Sequence, residues 1–321
     1  MGTLLEERSK SRPQCKCGRK TVYYRAYNGE SLCKECFNAS IVEKVKKSIS
    51  KNHMLQYGDN VGVAVSGGKD STSLLKILSE IVKSHGTKLV ALTIDEGIEG
   101  YREESVRNAV SFAESLSIPI LVSSYEELFG ISLDDALLTR AERGIKTTSC
   151  AVCGPLRRRS LDLTAKKAGV SVVATGHNLD DVLQTFYINL YSGDLERIKW
   201  LDPSYRPSRA GEEFGLRRIK PMMEIYEQEL AFYAYLNELP FQSESCPYMS
   251  EGIRSDIRTH LNEMERKHPG LKYSTLKTVL GIASRIRLDE EKSKNLKHCE
   301  NCGSVSTGVI CSVCSTLKLV M

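Results

Sequence analysis

The chain has 321 residues, 41% of them hydrophobic, which is enough for one sizeable α/β domain with smaller modules attached. Its 45 basic and 40 acidic side chains leave a net charge of +5, which permits a polyanionic partner but does not require one. No apolar run is long enough to span a bilayer, and the N-terminal stretch lacks the apolar core of a secretory signal. We therefore expect a cytoplasmic protein without a membrane partner.

The eleven cysteines fall into three groups. The front group is Cys15, Cys17, Cys33 and Cys36, the back group is Cys299, Cys302, Cys311 and Cys314, and the middle group is Cys150, Cys153 and Cys246. In a chain without a secretory signal, such close pairs indicate metal sites rather than disulfides. Four thiolates around one ion are typical of structural Zn²⁺, so we expect one zinc ion in each terminal group.

The front group flanks a predicted hairpin, with a strand at TVYYRAY and a turn at NGES. A module of this size is too small to fold without its metal. Its first pair is spaced C-x-C instead of the usual C-x-x-C, a departure that concerns only the geometry of this site. The next predicted element is a helix over 41–53, whose solvent-facing residues are Lys44, Lys46, Lys47 and Lys51.

Residues 61–71, VGVAVSGGKDS, predict a short buried strand, a glycine turn and the start of a helix. Two adjacent glycines let the backbone approach a phosphate closely, and the turn and the helix N-terminus offer N–H groups to an anion. Lys69 adds a positive charge, and Asp70 can hold a metal or order the loop. The spacing differs from that of a Walker loop, which has more residues between its first glycine and the Gly-Lys pair.

Further strands are predicted at 87–94, at 118–124, up to Ala174 and at 217–222. Ligands in an open parallel sheet sit beyond the carboxyl ends of the strands, which puts Asp95 near a bound nucleotide unless it only caps a turn. The turn at Gly176 and the helix after it repeat the pattern of 61–71 and are expected to lie beside it. Asp180 and Asp181 then fit a Mg²⁺-bound pyrophosphate or simple charge complementarity with the helix N-terminus.

Helices are predicted at 101–116, 133–142, 224–239, 253–267 and 273–285, and another opens at Cys150. The segment 192–215 is predicted as an irregular loop, and a Lys- and Glu-rich linker precedes the back group, whose spacing indicates a zinc ribbon. The fold class is therefore α/β, with a Rossmann-like parallel sheet and a small zinc module at each end. We divide the chain into an N-terminal zinc module (1–40), a nucleotide-binding core (41–225), a helical segment closing the active site (226–290) and a zinc ribbon (291–321).

The middle group has three thiols rather than four, which suits a structural zinc site poorly unless His177 supplies a fourth ligand. Three cysteines on a [4Fe–4S] cluster leave one iron open for substrate or for a sulfur atom. The competing chemistry is a catalytic pair, in which one cysteine carries a persulfide and another resolves it as a disulfide. The spacing alone does not decide between these two.

Together, the motifs resemble the cytoplasmic and archaeal tRNA 2-thiouridine synthetases of the PP-loop ATP pyrophosphatase superfamily. The motifs are the front zinc module, SGGKDS at 66–71, DEG-x-x-GYR at 95–102, C-x-x-C-G-x-x-R-R-R at 150–159, GHN-x-DD at 176–181, the lone Cys246 and the C-terminal zinc ribbon. The resemblance covers nearly the whole chain, whereas SGGKDS alone indicates only the superfamily. It implies that the core is a PP-loop ATPase.

The resemblance also implies the site residues. ATP is expected to bind at Ser66, Gly67, Gly68, Lys69, Asp70, Ser71, Ile94, Asp95, Gly176 and Asp181. The O2 atom of a tRNA uridine would attack the α-phosphate, sulfur would then displace AMP at C2, and Mg²⁺ and Lys69 would offset charge on the pyrophosphate. The implied catalytic residues are Lys69, Asp70, Asp181, Arg157 and the three middle cysteines, which would hold a [4Fe–4S] cluster. This resemblance favours the cluster over the persulfide.

The implied partners are tRNA and a sulfur donor, either sulfide or a ubiquitin-like protein ending in a thiocarboxylate. Arg157, Arg158 and Arg159 are expected to hold tRNA phosphate or that donor. Relatives form dimers, so a homodimer or a heterodimer with a paralogue is expected. The DEG-x-x-GYR segment looks more like the branch that modifies the wobble uridine than the branch that modifies a T-loop uridine. The alternatives are T-loop thiolation, a cluster-free persulfide mechanism and a non-catalytic tRNA-binding subunit, the last of which the intact motifs disfavour.

Overall fold

The computed structural model describes residues 14–82, 86–204, 216–249, 252–289, 297–306 and 308–321, and it confirms the predicted α/β class. The strands are β1 (Tyr23–Arg25), β2 (Glu30–Leu32), β3 (Asn60–Ala64), β4 (Lys88–Asp95), β5 (Ile120–Ser124), β6 (Val172–Ala174), β7 (Arg217–Ile219), β8 (Lys297–His298) and β9 (Val305–Ser306). The helices are α1 (Lys34–Lys51), α2 (Lys69–Ile81), α3 (Arg102–Ser115), α4 (Tyr125–Phe129), α5 (Leu133–Glu142), α6 (Ser149–Lys167), α7 (Leu179–Tyr191), α8 (Leu195–Lys199), α9 (Glu227–Leu236), α10 (Arg254–Lys267), α11 (Leu271–Asp289) and α12 (Ser312–Val320).

Strands β3 to β7 form one parallel sheet in the order β5-β4-β3-β6-β7. From β3 the chain first moves outward through β4 and β5, and it then returns to the other side of β3 as β6. Ligands bind in such sheets at the carboxyl ends of the strands beside this reversal. The turns that follow β3 and β6 are therefore the expected place for a ligand.

Helices cover both faces of the sheet, so the side chains on its two faces belong to two different apolar clusters. Val61 and Val63 of β3 are fully buried in the larger cluster, beneath α1, α2, α7 and α9. Leu92 and Ile94 of β4 belong to the smaller cluster, beneath α4, α5, α6 and the end of α12. Burial on both faces explains why these strands are continuously apolar rather than alternating. Within the described ranges, no helix has both the length and the apolar character needed to cross a bilayer.

Several boundaries differ from the predicted ones. Helix α1 begins at Lys34 rather than Ile41, because the Cys33 thiol accepts the N–H of Cys36 and caps the helix earlier. The edge strand β7 ends at Ile219 because Pro221 has no N–H to donate. Turns between β7 and α9 also delay α9 until Glu227.

Three helices were not predicted: α4, α8 and α12, the last of which follows the hairpin of the predicted zinc ribbon. Helix α4 follows β5 directly, capped by Ser124, whose hydroxyl accepts the N–H of Glu127 at 3.0 Å. Helix α8 lies inside the segment 192–215 that was predicted to be irregular. The second half of that segment, the first thirteen residues and most of the predicted acidic and basic linker lie outside the described residues.

Both terminal cysteine modules contain a hairpin followed by a helix. In the front module, β1 pairs antiparallel with β2, which confirms the predicted hairpin, and α1 follows. In the back module, β8 pairs antiparallel with β9, and α12 follows. The second cysteine pair opens the helix in both modules, whereas the first pair precedes the hairpin in the front module and lies between the two strands in the back module.

Candidate nucleotide site and cysteine centre

The turn after β3 requires a glycine at position 67. Gly67 has a φ of +81°, and a Cβ there would lie 2.2 Å from the carbonyl oxygen of Ser105 in α3. An L-residue would therefore meet both backbone strain and a clash with backbone atoms. The first glycine of SGGKDS serves the packing of the turn on α3, in addition to any approach of a phosphate.

Ser71 shapes this turn from inside. Its hydroxyl accepts the N–H of Ser66 at 3.1 Å and donates to the carbonyl of Gly68 at 2.9 Å. Gly68 is the N-cap of α2, and within the described ranges no side chain caps the first N–H groups of the helix. An anion can take the place of that cap. The predicted phosphate site thus has open backbone donors, while the Ser71 hydroxyl is used within the loop.

The second turn lies against the first, as predicted. Strand β6 pairs in parallel with β3, so that Val172 lies opposite Val61. A Cβ on Gly176 would approach the backbone nitrogen of Ser71 to 3.1 Å, so a larger residue would push the two turns apart. Both turns therefore border the same space at the carboxyl ends of β3 and β6.

Two carboxylates hold the Lys69 side chain. Its Nζ lies 3.0 Å from Asp70 Oδ2 and 3.0 Å from Glu227 Oε1, at the start of α9. Burial opposes the charge of Lys69, but Asp70 and Glu227 outweigh it and raise its pKa. Glu227 was missed by the sequence analysis, because an acidic residue in the first turn of a helix is ordinarily explained by the helix dipole.

Asp70 lies in an unusual environment for an acidic side chain. Burial and the negative charges of Asp181 and Glu227 raise its pKa to about 6, against the opposing charge of Lys69. Its Oδ1 atom is buried and has no hydrogen-bond partner among the residues that the structure describes. A buried carboxylate oxygen without a partner is suited to hold a hard cation such as Mg²⁺.

The two aspartates of GHN-x-DD have different surroundings. Asp181 forms a capping box with Asn178, at 3.1 and 3.0 Å, and its side chain stays 31% exposed. Asp180 is buried, its Oδ1 pairs with the ammonium of Lys272, and its Oδ2 accepts the N–H of Glu227 at 2.8 Å. Asp180 is therefore used in an internal ion pair, and Asp181 alone of the two remains open to a metal.

The end of β4 is also occupied by internal contacts. Asp95 Oδ1 accepts the N–H of Gly97 at 2.9 Å, which is the turn-capping role weighed against nucleotide binding. The Ile94 carbonyl accepts a hydrogen bond from Arg102. These contacts order the turn that follows β4 next to the phosphate turn.

The first two middle cysteines lie in the opening turns of α6. Cys150 is exposed and Cys153 is buried. The Sγ atom of Cys153 lies 3.0 Å from Arg157 Nη2 and 3.4 Å from the hydroxyl oxygen of Tyr125. A cation and a hydroxyl on the same sulfur are the partners that a thiolate needs. The sequence did not indicate Tyr125 as a partner of Cys153, because Tyr125 lies in helix α4, which was not predicted.

The third middle cysteine approaches from the loop after α9. The loop is attached at one end by Gln242, whose N–H donates to the Gly67 carbonyl at 3.0 Å. It is attached at the other end by Tyr248, whose hydroxyl donates to Asp134 Oδ1 at 2.7 Å. Cys246 lies between these two attachments and is half-buried.

The charges of Cys150 and Cys153 act on Cys246, but the three sulfurs do not form a compact ion site. Burial raises the pKa of Cys246, and Cys153 and Cys150 add to this effect through their charges. Among the described residues, the groups whose sulfurs all lie within 4.8 Å of one another are the two terminal ones, not this one. A [4Fe–4S] cluster places iron and sulfide between its ligands, so it suits three sulfurs that are spaced more widely than those of a zinc site.

The three consecutive arginines of α6 have three different environments. Arg157 contacts the sulfur described above, and Arg159 donates to the hydroxyl of Ser304 in the back module. Arg158 lies near Arg218 of β7, and partial burial together with that neighbouring charge lowers its pKa. Of the three, Arg158 is the one whose surroundings favour an anion from outside, since like charges gathered together attract phosphate.

Each terminal group brings its four sulfurs within 4.8 Å of one another, as a tetrahedral ion requires. The third cysteine of each caps a helix and accepts the N–H of the fourth, at 3.5 Å for Cys33 and Cys36 and at 3.4 Å for Cys311 and Cys314. The C-x-C spacing of the front pair does not prevent this convergence. The donor sets of both modules fit Zn²⁺.

A parallel sheet whose strand order reverses at an SGGKDS turn, with a second turn packed on the first, defines a nucleotide-binding protein of the PP-loop class. The profile of the PP-loop domain matches residues 38–265. A second profile, that of the N-terminal LIM domain of the 2-thiouridine synthetase TtuA, matches residues 14–38, which form the front cysteine module.

Relatives that are similar along nearly the whole chain identify the family within the PP-loop class. The tRNA 2-thiolation protein NcsA of Haloferax volcanii is 36% identical over 95% of this chain and 98% of its own length. The cytoplasmic tRNA 2-thiolation protein 1 of Drosophila sechellia is 35% identical over 94% of this chain and 86% of its own. A solved structure, the U34-tRNA thiolase NcsA from Methanococcus maripaludis with its [4Fe–4S] cluster, superposes with a TM-score of 0.79 at 32% identity, covering 95% of each chain. The chain belongs to the tRNA 2-thiolation family of PP-loop proteins.

Proposed function

We propose that the chain is an ATP-dependent tRNA sulfurtransferase that converts the wobble uridine to 2-thiouridine in the cytoplasm. The uridine O2 attacks the α-phosphate of ATP, the bond to pyrophosphate breaks, and an adenylated uridine forms. Sulfur from hydrosulfide then adds at C2, and AMP leaves with the former O2. The first step is needed because a carbonyl oxygen is a poor leaving group, whereas AMP is a good one.

One observation carries this proposal: the segment that bears the third middle cysteine is built on the phosphate turn. The N–H of Gln242 donates to the Gly67 carbonyl at 3.0 Å, and its Nε2 donates to the Tyr101 carbonyl at 2.9 Å. Cys246 follows within the same loop. A base adenylated at the turn would therefore have the cysteine centre beside it, as a reaction in two successive steps at one site requires.

The nucleotide part of the proposal rests on the contacts of the turn. The uncapped N–H groups at the start of α2 are suited to the pyrophosphate, and Lys69, held in place by Glu227, is suited to offset its charge. Asp70 and Asp181 are the carboxylates that would hold Mg²⁺ on the phosphates. The free buried oxygen of Asp70 is the structural feature that supports this assignment.

The sulfur part rests on the middle cysteines. A [4Fe–4S] cluster held by Cys150, Cys153 and Cys246 would supply an iron without a protein ligand, at which a sulfur atom can bind. The three thiols fit such a group, because they approach one region from two segments without the close packing of a zinc site. Arg157 and Tyr125 fix the position of the Cys153 sulfur.

The proposal extends to partners and structural metals. We assign one Zn²⁺ to each terminal cysteine group, on the basis of their converging sulfurs. The Arg158 and Arg218 surface is assigned to tRNA phosphate. Sulfide or a thiocarboxylate-bearing ubiquitin-like protein is the proposed sulfur donor, and the proposed assembly is a homodimer or a heterodimer with a paralogue.

The reaction is tested with protein purified without oxygen, reconstituted with iron and sulfide, and supplied with ATP, Mg²⁺, sulfide and unmodified tRNA. We expect tRNA-dependent release of pyrophosphate and one 2-thiouridine, which nuclease mapping with mass spectrometry locates at the wobble position. In Lys69→Ala, loss of the positive charge should lower pyrophosphate release about 100-fold. A 2-thiouridine in the T-loop would overturn the wobble assignment, and pyrophosphate release without any thiolation would overturn the reaction.

The cluster is tested by comparing Cys246→Ala with the neighbouring control Ser245→Ala. Removing one of the three ligands should weaken the visible absorption and the Mössbauer signal of the cluster and abolish thiolation, whereas the exposed Ser245 should be dispensable. Metal analysis should find two zinc ions in both variants. A colourless protein that thiolates tRNA in air would assign the middle cysteines to a persulfide relay instead.

A further inference from the structure

The segment DEG-x-x-GYR contains two charged residues that have no role in the reaction described so far. Glu96 and Arg102 are each only 5% exposed. A buried carboxylate is strongly destabilising unless it is paired. Glu96 is paired twice: its Oε1 lies 2.9 Å from Arg157 Nε, and its Oε2 lies 2.5 Å from Arg102 Nε.

Arg102 is fixed by the backbone around the phosphate turn. Its Nη1 donates to the carbonyl of Ser66 at 3.0 Å, and its Nη2 donates to the carbonyl of Ile94 at the end of β4. These carbonyls belong to the segments that follow β3 and β4. The backbone of the nucleotide turn fixes the position of the Arg102 guanidinium. This guanidinium in turn holds one oxygen of the Glu96 carboxylate.

Arg157 is held in a different way. Its side chain is 55% exposed on α6, and the contacts of its guanidinium are Glu96 at 2.9 Å and the Cys153 sulfur at 3.0 Å. A long, partly solvated side chain has many rotamers open to it, so holding one of them requires fixed partners. Glu96 is the buried, charged partner that supplies such a fixed point.

We propose that Glu96 is a positioning residue that holds Arg157 against the Cys153 sulfur and, through Arg102, ties that arrangement to the phosphate turn. The contacts run without interruption from the Ser66 carbonyl through Arg102, Glu96 and Arg157 to Cys153. The inference rests on the proposed function, since it assigns Arg157 to the sulfur step. Glu96 touches neither nucleotide nor base in this scheme and acts only through the two arginines.

The arrangement predicts that removing the Glu96 charge separates the two steps. Arg102 keeps its two carbonyl contacts without Glu96, so the phosphate turn stays ordered, whereas Arg157 keeps only the Cys153 sulfur among its described partners. In Glu96→Gln we expect tRNA-dependent pyrophosphate release within about threefold of the unaltered chain, but thiolated tRNA formed per pyrophosphate lower by about tenfold or more. The adenylated uridine that is not thiolated is hydrolysed to uridine and AMP.

The matched control is Glu99→Gln, the same chemical change three residues away, at an exposed position of the same segment. It should leave both steps unchanged. If Glu96→Gln lowers pyrophosphate release and thiolation equally, Glu96 is only structural and the inference is overturned. If the unaltered chain does not thiolate tRNA at all, the proposed function fails instead, so the two failures are distinguishable.

A double-mutant cycle tests whether Glu96 acts through Arg157. We compare the sulfur step in Glu96→Gln, Arg157→Gln and the double variant. If Glu96 only positions Arg157, its substitution has no further effect once Arg157 is gone, so the double variant should match Arg157→Gln. Effects of the two substitutions that multiply would overturn the inference. Glu96→Asp, which keeps the charge but shortens the reach, should give an intermediate loss and serves if the glutamine variant does not fold.

A readout independent of turnover comes from nuclear magnetic resonance of the cluster-free chain labelled with ¹⁵N-arginine. The Arg157 Nε–H signal, identified by its loss in Arg157→Gln, should be protected from exchange with solvent because the group faces Glu96. It should exchange faster in Glu96→Gln and remain protected in Glu99→Gln. Equal protection of this signal in both variants would overturn the positioning role.

Discussion

The two terminal cysteine modules both consist of a hairpin followed by a helix, but they are attached to the molecule in different ways. Helix α1 of the front module has 18 residues, and its Phe37, Ile41 and Val45 lie fully buried in the larger apolar cluster. Helix α12 of the back module has nine residues, and Val320 is its buried member of the smaller cluster. The front cysteine module is thus part of the main core, whereas the back module is a cap attached to it.

The sulfur chemistry of the two modules does not account for this difference. Backbone N–H groups lower the pKa of Cys15 and of Cys299 to about 6, so each module has one thiol prepared to bind a metal as a thiolate. The third cysteine caps a helix in both. The two candidate metal sites are therefore alike in these respects, and what differs is the structure attached to each of them.

Polar contacts strengthen the contrast. In the front module, Arg25 and Lys44 both pair with the fully buried Glu229 of α9, at 2.6 and 2.9 Å. The back module has a charged contact that is exposed, in which the Arg143 guanidinium donates to carbonyl oxygens at the end of α12, at 2.9 Å to that of Met321. Burial makes the loss of a charged partner costly in the front module. In the back module, solvent screens the charge and the cost is small.

The sharpest test of the comparison is to remove the same ligand from each module. Serine is a good N-cap, so Cys33→Ser and Cys311→Ser remove a metal ligand while keeping the helix cap. We expect Cys33→Ser to lower the free energy of unfolding by roughly 3 kcal/mol or more, because α1 is part of the main core. Cys311→Ser should lower it by about 1 kcal/mol or less and raise hydrogen exchange chiefly in α12. Calorimetry with exchange mass spectrometry measures both, and equal losses would break the comparison.

The second test removes the charge that attaches the front module to α9. Glu229→Gln removes the buried carboxylate that Arg25 and Lys44 share, leaving the buried Arg25 with Glu30 alone among its described carboxylate partners, so we expect a loss of about 3–5 kcal/mol in chemical unfolding. The control is Glu263→Gln, which breaks the exposed pair with Lys267 on α10 and should change stability by about 0.5 kcal/mol or less. A loss in Glu229→Gln no larger than in this control would show that the buried ion network does not attach the module.

The smallest effect is expected where an exposed arginine caps the back module. Arg143→Ala removes a cation from the C-terminal carbonyls of α12, a contact worth about 0.3–1 kcal/mol. Amide exchange in α12 should rise while the global unfolding temperature stays the same. Lys146→Ala, at a nearby exposed position, should change neither quantity. Global destabilisation by Arg143→Ala would place the back module within the main core after all.

Local patterns in the sequence predicted the parts of the fold that depend on neighbouring residues. The strand, glycine turn and helix at 61–71, and their repeat at Gly176, could be predicted because each is specified within about ten residues. The cysteine groups could be predicted from spacing alone. The early start of α1 could not, because it depends on a thiol that acts as a helix cap, a role usually filled by an oxygen.

Local sequence patterns could not predict contacts between residues that lie far apart along the chain. Lys44 was predicted on a solvent face, and it instead pairs with Glu229, which lies far along the chain. Asp180 was considered as a metal ligand, and it is buried against Lys272 of α11. A helical pattern shows which side of a helix is polar, but it does not show whether that side meets water or another buried charge.

The position of Cys246 along the chain also sets an order of synthesis. Cys150 and Cys153 leave the ribosome with α6, but the third thiol follows only after β6, α7, α8, β7 and α9 have been made. The loop that carries it attaches to the Gly67 carbonyl, which was made long before. A nascent chain therefore carries two of the three thiols while residues 154–245 are made, and the complete set first exists when about three quarters of the chain has been synthesised. A group that needs all three thiols can be held only after β6, α7, α8, β7 and α9 have been made.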